Sequence, residues 1–198
     1  MIGGIHGDEY SSISIMFKWI KLLKNDAENP YTWHIIPTAN PDGLLQKQAQ
    51  RTNANQVDLN RNFSPAGDYQ DNLNYWYNKN ASDPRRYPGP EPFSEAESLW
   101  LAQYIQQYKP DVIVSVHAPY GIIDFDGVVE APPEQLGPLH LKLLGTYPGS
   151  LGNYAGIQKG IPVITIELPY AGIMPSKSQI KSIWSDLQHW LNTHLSKP

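Results

Sequence analysis

The chain has 198 residues and a formal net charge of −4, with 40% hydrophobic and 11% aromatic residues. This composition predicts one soluble globular domain over residues 1–198, and it argues against a nucleic-acid partner, which normally requires a basic stripe. There is no cysteine, so any metal must be held by nitrogen and oxygen ligands. No apolar run approaches the roughly 20 residues that span a bilayer, and the N-terminus lacks a signal peptide, so we expect a cytoplasmic protein without a membrane partner.

The stretch GGIHGDE places His6 and Glu9 three residues apart, between glycines and directly after a short apolar segment. Imidazole and carboxylate groups both bind zinc. A His-x-x-Glu pair alone is weak evidence for a metal site, so its meaning depends on a third ligand elsewhere in the chain.

The first half of the chain predicts a helix, a strand and a long loop. SSISIMFKWIKLLK is amphipathic and predicts a helix, with its apolar residues at Ile13, Phe17, Ile20 and Leu23. YTWHIIPT is β-branched and aromatic and predicts a strand. Residues 62–93 are rich in Asn, Tyr, Pro and Gly, which predicts one long ordered loop of the functional kind.

The second half predicts alternating strands and helices. Ser94 and Glu97 have capping-box spacing, which predicts a helix over 94–108. DVIVSVH and GIPVITIELP are nearly continuous apolar runs, as in strands buried on both faces, and GIIDFDG predicts a short strand. QLGPLHLKLLG predicts a short helix that ends at Gly145, and a terminal helix is expected over about 178–195. We therefore predict an α/β domain with a mixed, largely parallel central sheet and helices on both faces.

Chemically capable side chains end two of the predicted strands. His117 ends VIVSVH and Glu167 ends VITIE. Ligands of open α/β sheets bind outside the carboxyl ends of the strands, so these groups are expected near His6 and Glu9. Each has a plainer explanation when taken singly, as a hydrogen-bonded structural histidine or a solvated carboxylate.

The segment RTNANQVDLNRNF supplies two arginines, Arg51 and Arg61. Guanidinium groups are fixed cations suited to bidentate recognition of carboxylates or to stabilising an oxyanion. The alternative is a solvated charged loop with ordinary ion pairs.

Five stretches resemble the zinc carboxypeptidase family and follow one another in that family's order: GGIHGDE, RTNANQVDLNRNF, YPGPEPFSEAES, VSVHAPYG and GIPVITIELP. The murein peptide amidases, which cleave γ-D-glutamyl–diaminopimelate bonds, are the branch that these stretches resemble most. The resemblance implies a zinc-carboxypeptidase-like fold of the phosphorylase/hydrolase type. It also implies one Zn²⁺ per chain and a small peptide substrate, a murein tripeptide.

The resemblance further implies a division of tasks among the site residues. It implies that the zinc ligands are His6, Glu9 and His117. It implies that Arg51 assists the carbonyl and that Glu167 is the general base. The substrate's terminal carboxylate would be held by Asn60 and Arg61.

Four more charged residues are expected to meet the distal end of diaminopimelate, which carries an ammonium and a carboxylate. Asp124 and Asp126 are the candidates for the ammonium, and Arg85 or Arg86 for the carboxylate.

Two departures from the family pattern have consequences. The family has strands before the His-x-x-Glu motif, so the chain is expected to be truncated at its N-terminus, with an exposed sheet edge and self-association through it. The family's larger carboxypeptidases also place a mobile tyrosine over the substrate, and neither Tyr147 nor Tyr154 matches its spacing securely.

Two other functions remain open on the sequence alone. A small-molecule deacylase similar to succinylglutamate desuccinylase or aspartoacylase also uses His-x-x-Glu with a later histidine and glutamate. A non-catalytic ligand-binding module is the other alternative, although an intact base at Glu167 argues against it.

Overall fold

The computed structural model describes residues 1–128 and 132–195. Its centre is a six-stranded sheet with strand order β1-β2-β6-β3-β5-β4. The strands are β1 (Ile2–Gly3), β2 (Ile113–His117), β3 (Ile122–Asp126), β4 (Gln135–Leu136), β5 (Leu139–Leu141) and β6 (Val163–Glu167). The helices are α1 (Tyr10–Lys24), α2 (Pro41–Leu44), α3 (Gln70–Lys79), α4 (Ala96–Tyr108) and α5 (Lys177–His194), with a π-helical turn at Gly152–Gln158 and 3₁₀ turns at Leu59–Arg61 and Pro84–Arg86.

The sheet is mixed, as predicted. Strands β1, β2 and β6 are parallel to one another, β3 is antiparallel to β6, β5 is parallel to β3, and β4 closes an antiparallel hairpin with β5. The register of β2 with β6 sets His117 opposite Glu167. Both strands therefore end at the same edge of the sheet, where ligands of such folds bind.

Helices cover both faces of the sheet. Val114 and Val116 of β2 lie in one apolar cluster with Trp19 of α1 and with the buried face of α5. Ile113, on the opposite face of the same strand, lies in a second cluster with Leu101 of α4. The predicted fold class is thereby confirmed, and the predicted apolar faces of β2 and α5 are buried.

Alternation along the central strands brings polar groups to one face. Successive side chains of a strand point to opposite faces, and the face shared with α4 carries Ile113 and Val163 near the start of β2 and β6. The polar residues that lie on this same face of the sheet are Ser115, His117, Thr165, Glu167, Asp124 and Asp126. The sheet thus supplies a polar floor at its functional edge, backed by apolar residues on its other face.

The predicted apolar face of α1 is wrong in part. Phe17 is 57% exposed, whereas Ile15, Met16 and Trp19 have no exposed surface. The helix therefore turns the side of Met16 and Trp19 toward the sheet. Spacing alone did not choose between two adjacent apolar stripes, because the choice depends on where the sheet lies.

The predicted strand at YTWHIIPT is not formed. Among the described residues, its pairing is one isolated bridge between Ile36 and Ile2, because β1 offers just two residues to pair with.

The predicted loop over 62–93 is wrong in that it contains α3 and the 3₁₀ turn Pro84–Arg86. Helix α4 begins after Glu95 without a side-chain cap, and Ser94 Oγ donates to Glu95 at 2.8 Å instead.

The helix predicted at QLGPLHLKLLG is also wrong, because this stretch forms the β4–β5 hairpin. Its Gly-Pro pair occupies the turn, and Gly137 has a φ of +56°, a conformation that glycine adopts without strain.

None of the helices within the described part of the chain has the length and apolar character needed to cross a bilayer.

The β1 edge of the sheet borders an apolar cavity of about 420 Å³. Strand β1 pairs with Ser115 and Val116 of β2, so the backbone of residues 113 and 114 has no strand beside it on that side in the described chain. This cavity is larger than the cleft at the functional edge, but its lining holds no cluster of metal-binding groups among the described residues.

We expect the protein either to self-associate through this edge or to have low stability in isolation, because unpaired strand backbone is a template for pairing with another chain. Light scattering at increasing protein concentration should show dimers or larger species. Thr32, an exposed residue that lines the cavity, is the site for a blocking variant. Thr32→Lys should shift the protein toward monomer, whereas Gln48→Lys, a matched change at another exposed site, should not. A wild-type monomer that is both monodisperse and thermally robust would contradict the prediction.

Candidate active site

The ligand loop, residues 4–9, delivers two of the predicted metal ligands directly after β1. At Gly7 the loop packs closely against the backbone of Gly43 and Leu44, with which an added Cβ would collide. Glycine is therefore required next to His6 by close backbone approach. Glu9 directly precedes α1, and its Oε2 accepts from Ala118 N at 3.2 Å, just past the end of β2.

His6, Glu9 and His117 meet in a buried cluster. Their candidate ligand atoms all lie within 4.8 Å of one another. His6 Nδ1 is 2.8 Å from Glu9 Oε1, His117 Nδ1 is 3.2 Å from Glu9 Oε2, and the two Nδ1 atoms are 3.3 Å apart. Two ring nitrogens that face each other and one carboxylate form a donor set of the kind that binds zinc while leaving a coordination position open.

The outer nitrogens of both imidazoles are held by polar partners. His6 Nε2 lies 3.2 Å from Asp58 Oδ1, and His117 Nε2 lies 3.0 Å from Ser115 Oγ. Partners of this kind fix the ring orientation and direct the other nitrogen toward a metal. Sequence reasoning missed both residues. Ser115 had a usable signal, since it lies two residues before His117 and so on the same face of β2.

Asp58 also binds Arg51. Arg51 Nε donates to Asp58 Oδ2 at 2.9 Å, and its Nη1 lies 3.7 Å from Glu9 Oε1. Burial opposes the charged form of Asp58, but Arg51 and His6 outweigh it, so the pKa of Asp58 is far below its usual range. The pKa of Glu9 is lowered likewise, because His6 and His117 outweigh the effect of burial. The cluster is thus built around carboxylates that stay ionised.

Glu167 faces the same cluster from the end of β6. It is 8% exposed, and burial raises the pKa of its carboxyl above the ordinary value, against the attraction of His117. Tyr120 N approaches its Oε2 at 3.5 Å. A carboxyl group with a raised pKa can accept and return a proton near neutral pH.

Arg61 is buried without a carboxylate partner. No acidic group in residues 1–128 and 132–195 lies within ion-pair distance of it, and burial lowers its pKa. Its Nη1 donates to Asn60 O at 2.6 Å, whereas its buried Nε has no partner among the described residues. Asn60 Oδ1 accepts from Leu151 N at 2.9 Å. An unpaired buried guanidinium is costly, so this arrangement indicates a place for an anionic ligand.

The two candidate tyrosines lie in different environments. The Tyr147 ring covers the Arg61 guanidinium, with its centroid 4.5 Å from Cζ, and it lines the cleft. Tyr154 packs between Phe63 and Phe93 and is 7% exposed. Tyr147 is therefore the tyrosine that a bound ligand can reach.

These groups share one cleft of about 330 Å³. Every residue predicted from the sequence as part of the site lines it, namely His6, Glu9, Arg51, Asn60, Arg61, His117, Asp124, Asp126 and Glu167. Asp126 lies against Gly152, where a Cβ would overlap its carboxylate. Burial and then the charge of Asp124 raise the pKa of Asp126 to about 6. The cleft is therefore dipolar. Asp124 and Asp126 form an acidic floor, and arginines lie at its sides.

Comparison with known proteins agrees with this geometry. Residues 1–124 match the zinc carboxypeptidase family model. The chain is 30% identical over 176 residues to murein peptide amidase A of Escherichia coli K12, covering 85% of this chain and 70% of that protein. It is 30% identical over 158 residues to zinc carboxypeptidase A 1 of Drosophila melanogaster, covering 65% of this chain and 36% of that protein.

Solved structures show the same relationship. The crystal structure of murein-tripeptide amidase MpaA from Escherichia coli O157 superposes with a TM-score of 0.69 at 28% identity, covering 96% of this chain and 80% of that one. Bovine thrombin-activatable fibrinolysis inhibitor shares the fold, with a TM-score of 0.64 at 19% identity over 94% of this chain and 77% of its own. Together with the His/Glu/His cluster, these matches place the chain in the zinc carboxypeptidase family of hydrolytic enzymes.

Proposed function

We propose that the protein is a zinc-dependent amidase that cleaves an amide bond next to a free carboxylate, with one zinc held by His6, Glu9 and His117. The observation that carries the proposal is the unpaired, buried Arg61 in the same cleft as this ligand set and Glu167. The ligand set suits zinc, because imidazole and carboxylate donors are fixed from behind by Asp58 and Ser115.

The residues around the metal divide the chemistry between them. Bound zinc supplies Lewis acidity, which polarises a carbonyl and makes water nucleophilic near neutral pH. Glu167 takes the proton of the attacking water and passes it to the departing amine, which its raised pKa favours. Arg51, held by Asp58, stabilises negative charge that develops on the carbonyl oxygen, an effect often worth several kcal/mol.

Arg61 and Asn60 restrict the substrate to a chain end. The Arg61 guanidinium and the amide nitrogen of Asn60, both of which line the cleft, donate to the terminal carboxylate, whose charge compensates the buried guanidinium. Tyr147 covers this carboxylate site from the side of Arg61. An internal peptide segment lacks that carboxylate and would leave Arg61 unpaired.

We propose a murein peptide as the substrate, with cleavage between γ-D-glutamate and diaminopimelate. The similarity to murein peptide amidase A supports this choice, and so does the acidic floor formed by Asp124 and Asp126. The distal ammonium of diaminopimelate would pair with these carboxylates. We also propose that the protein acts in the cytoplasm. Its substrates there would be released murein fragments.

The first prediction concerns the metal. The purified wild type should contain about one zinc per chain, and His117→Ala should lose it, because three protein ligands are needed to hold a catalytic zinc. Glu167→Gln should keep the zinc and lose activity by roughly 10²–10⁴-fold, the usual contribution of a general base. Elemental analysis and steady-state kinetics on the same preparations test both. Loss of zinc from Glu167→Gln would show that the division between ligands and base is wrong.

The second prediction concerns the substrate. Wild type should prefer a γ-D-glutamyl–diaminopimelate bond over a peptide ending in Leu or Phe, because an apolar residue leaves the acidic floor unpaired, at about 1–3 kcal/mol per buried group. Asp124→Asn should reduce this preference without loss of zinc. Equal kcat/KM on a C-terminal phenylalanine peptide would contradict the murein proposal.

The same assay separates the alternatives. Release of a small acyl group from an amino acid, without cleavage of the tripeptide, would favour a deacylase. Zinc binding without turnover of any of these substrates would favour a non-catalytic binding module.

The third prediction concerns pH. The pKa of Asp126 is about 6 in the folded protein, above the ordinary value near 4, so folding favours its protonated form. This residue should therefore destabilise the fold progressively as pH rises from about 4 to 6. Asp126→Asn should raise the melting temperature at pH 8 and have little effect at pH 4. An equal effect at both pH values would exclude a raised pKa as the cause.

A further inference from the structure

Another cationic group, Arg85, which the sequence offered as a candidate for the distal carboxylate of diaminopimelate, borders the cleft beside the ligand loop instead. Arg85 Nη2 lies 2.7 Å from Asp8 Oδ2, and both residues line the cleft. The Arg85 side chain is 62% exposed, so an arriving ligand can reach it, whereas that of Asp8 is 23% exposed. Because Asp8 stands between Gly7 and Glu9, this ion pair holds a guanidinium beside the ligand loop.

The backbone also holds Arg85 in place. It lies in the 3₁₀ turn Pro84–Arg86, which Asp83 caps by accepting from Arg85 N at 2.9 Å. The neighbouring Arg86 also lines the cleft, but its contacts are to the loop itself, with Nη1 donating to Asn80 at 3.3 Å and Nε 3.7 Å from Asp83 Oδ2. The structure thus separates two arginines that the sequence could not distinguish, and it assigns Arg85 to the ligand loop.

The position of Arg85 relates to the direction of the substrate. The proposed carboxylate site at Arg61 and Asn60 adjoins Leu151, and the acidic floor at Asp126 adjoins Gly152. These contacts place the amine half of the substrate on the side of residues 150–152. With the scissile carbonyl at the metal cluster, as the proposed function requires, the acyl half would extend past the ligand loop, toward Asp8 and Arg85.

A γ-glutamyl substrate carries a distinctive charge in that half. Its glutamate is joined through the side-chain carboxyl, so its α-carboxylate is free and is separated from the scissile carbonyl by two methylene groups and the α-carbon. An α-linked peptide carries an anion at a comparable distance only when the residue on the acyl side is itself acidic. A guanidinium has five donors, so Arg85 can keep its bond to Asp8 and still bind a second carboxylate.

We propose that Arg85 is a specificity-determining residue that binds the α-carboxylate of the γ-linked acyl residue. This inference rests on the proposed function, which it deepens by naming what the acyl side of the cleft recognises. Asp8 holds the guanidinium in position before the substrate arrives. Arg85 takes no part in bond cleavage.

The test compares two tripeptides that differ in one group. One is L-alanyl-γ-D-glutamyl-diaminopimelate, and the other is identical except that the α-carboxylate of glutamate is a carboxamide. Wild type should cleave the carboxylate form with a kcat/KM about tenfold higher, a modest factor because the pair is solvent-exposed. The ratio should fall as salt is raised, because salt screens exposed charges.

Variants assign the preference to Arg85. Arg85→Ala should lower kcat/KM for the carboxylate form and leave that for the carboxamide unchanged, so that the ratio falls to about one. Arg85→Lys should restore part of the ratio. Lys79→Ala removes the same charge from an exposed position on α3 and should leave the ratio unchanged. Zinc content and circular dichroism check that each variant is folded.

The outcomes distinguish this inference from the function on which it rests. Equal kcat/KM for the two tripeptides in wild type, or an unchanged ratio in Arg85→Ala, would overturn the role of Arg85 and leave the amidase function intact. Failure to cleave either tripeptide by zinc-loaded wild type would overturn the murein proposal and this inference together.

Discussion

The buried carboxylate of Asp58 is the contact on which the geometry of the site depends. One oxygen holds His6 Nε2 and the other accepts from Arg51 Nε, so a single side chain orients a metal ligand and a candidate oxyanion donor. Asp58 has no exposed surface, and a buried charge of this kind is tolerated because both of its oxygens are paired. The ligand loop and the segment that follows Arg51 are thereby joined before any substrate arrives, which is the preorganisation that catalysis requires.

The sheet provides the second half of this arrangement. Parallel pairing of β2 with β6 sets His117 beside Glu167, so the candidate metal ligand and the candidate proton acceptor lie at the same edge. The opposite face of these strands is filled by apolar residues such as Val114 and Ile166. Because a close-packed core leaves little freedom to the strands, the distance between metal site and base is fixed by packing far from the chemistry.

Charge is distributed unevenly over the cleft, and this distribution gives the site a direction. Arg61 lies buried without an acidic partner in the described chain, Asp126 retains a proton more readily than an ordinary aspartate, and Arg85 lies beside the ligand loop. The protein itself leaves Arg61 and Asp126 incompletely compensated, and Arg85, although paired with Asp8, keeps donors free for a ligand. A ligand with a terminal carboxylate, a distal ammonium and an acyl-side anion compensates all of them, whereas an apolar peptide does not.

The sequence by itself predicted the strands β2, β3 and β6 and the helix α5, because these depend on local patterns of continuous apolar runs and helical spacing. It also named the candidate metal ligands and the candidate base, through the resemblance to the zinc carboxypeptidases and the polar residues at strand ends. Only the tertiary structure decided the rest. The segment YTWHIIPT has strand-like residues but little strand to pair with, and the orientation of α1 depends on the sheet beneath it. The roles of Asp58 and Arg85 likewise required the fold, since their partners lie 52 and 77 residues away in the chain, and no local pattern encodes such a contact.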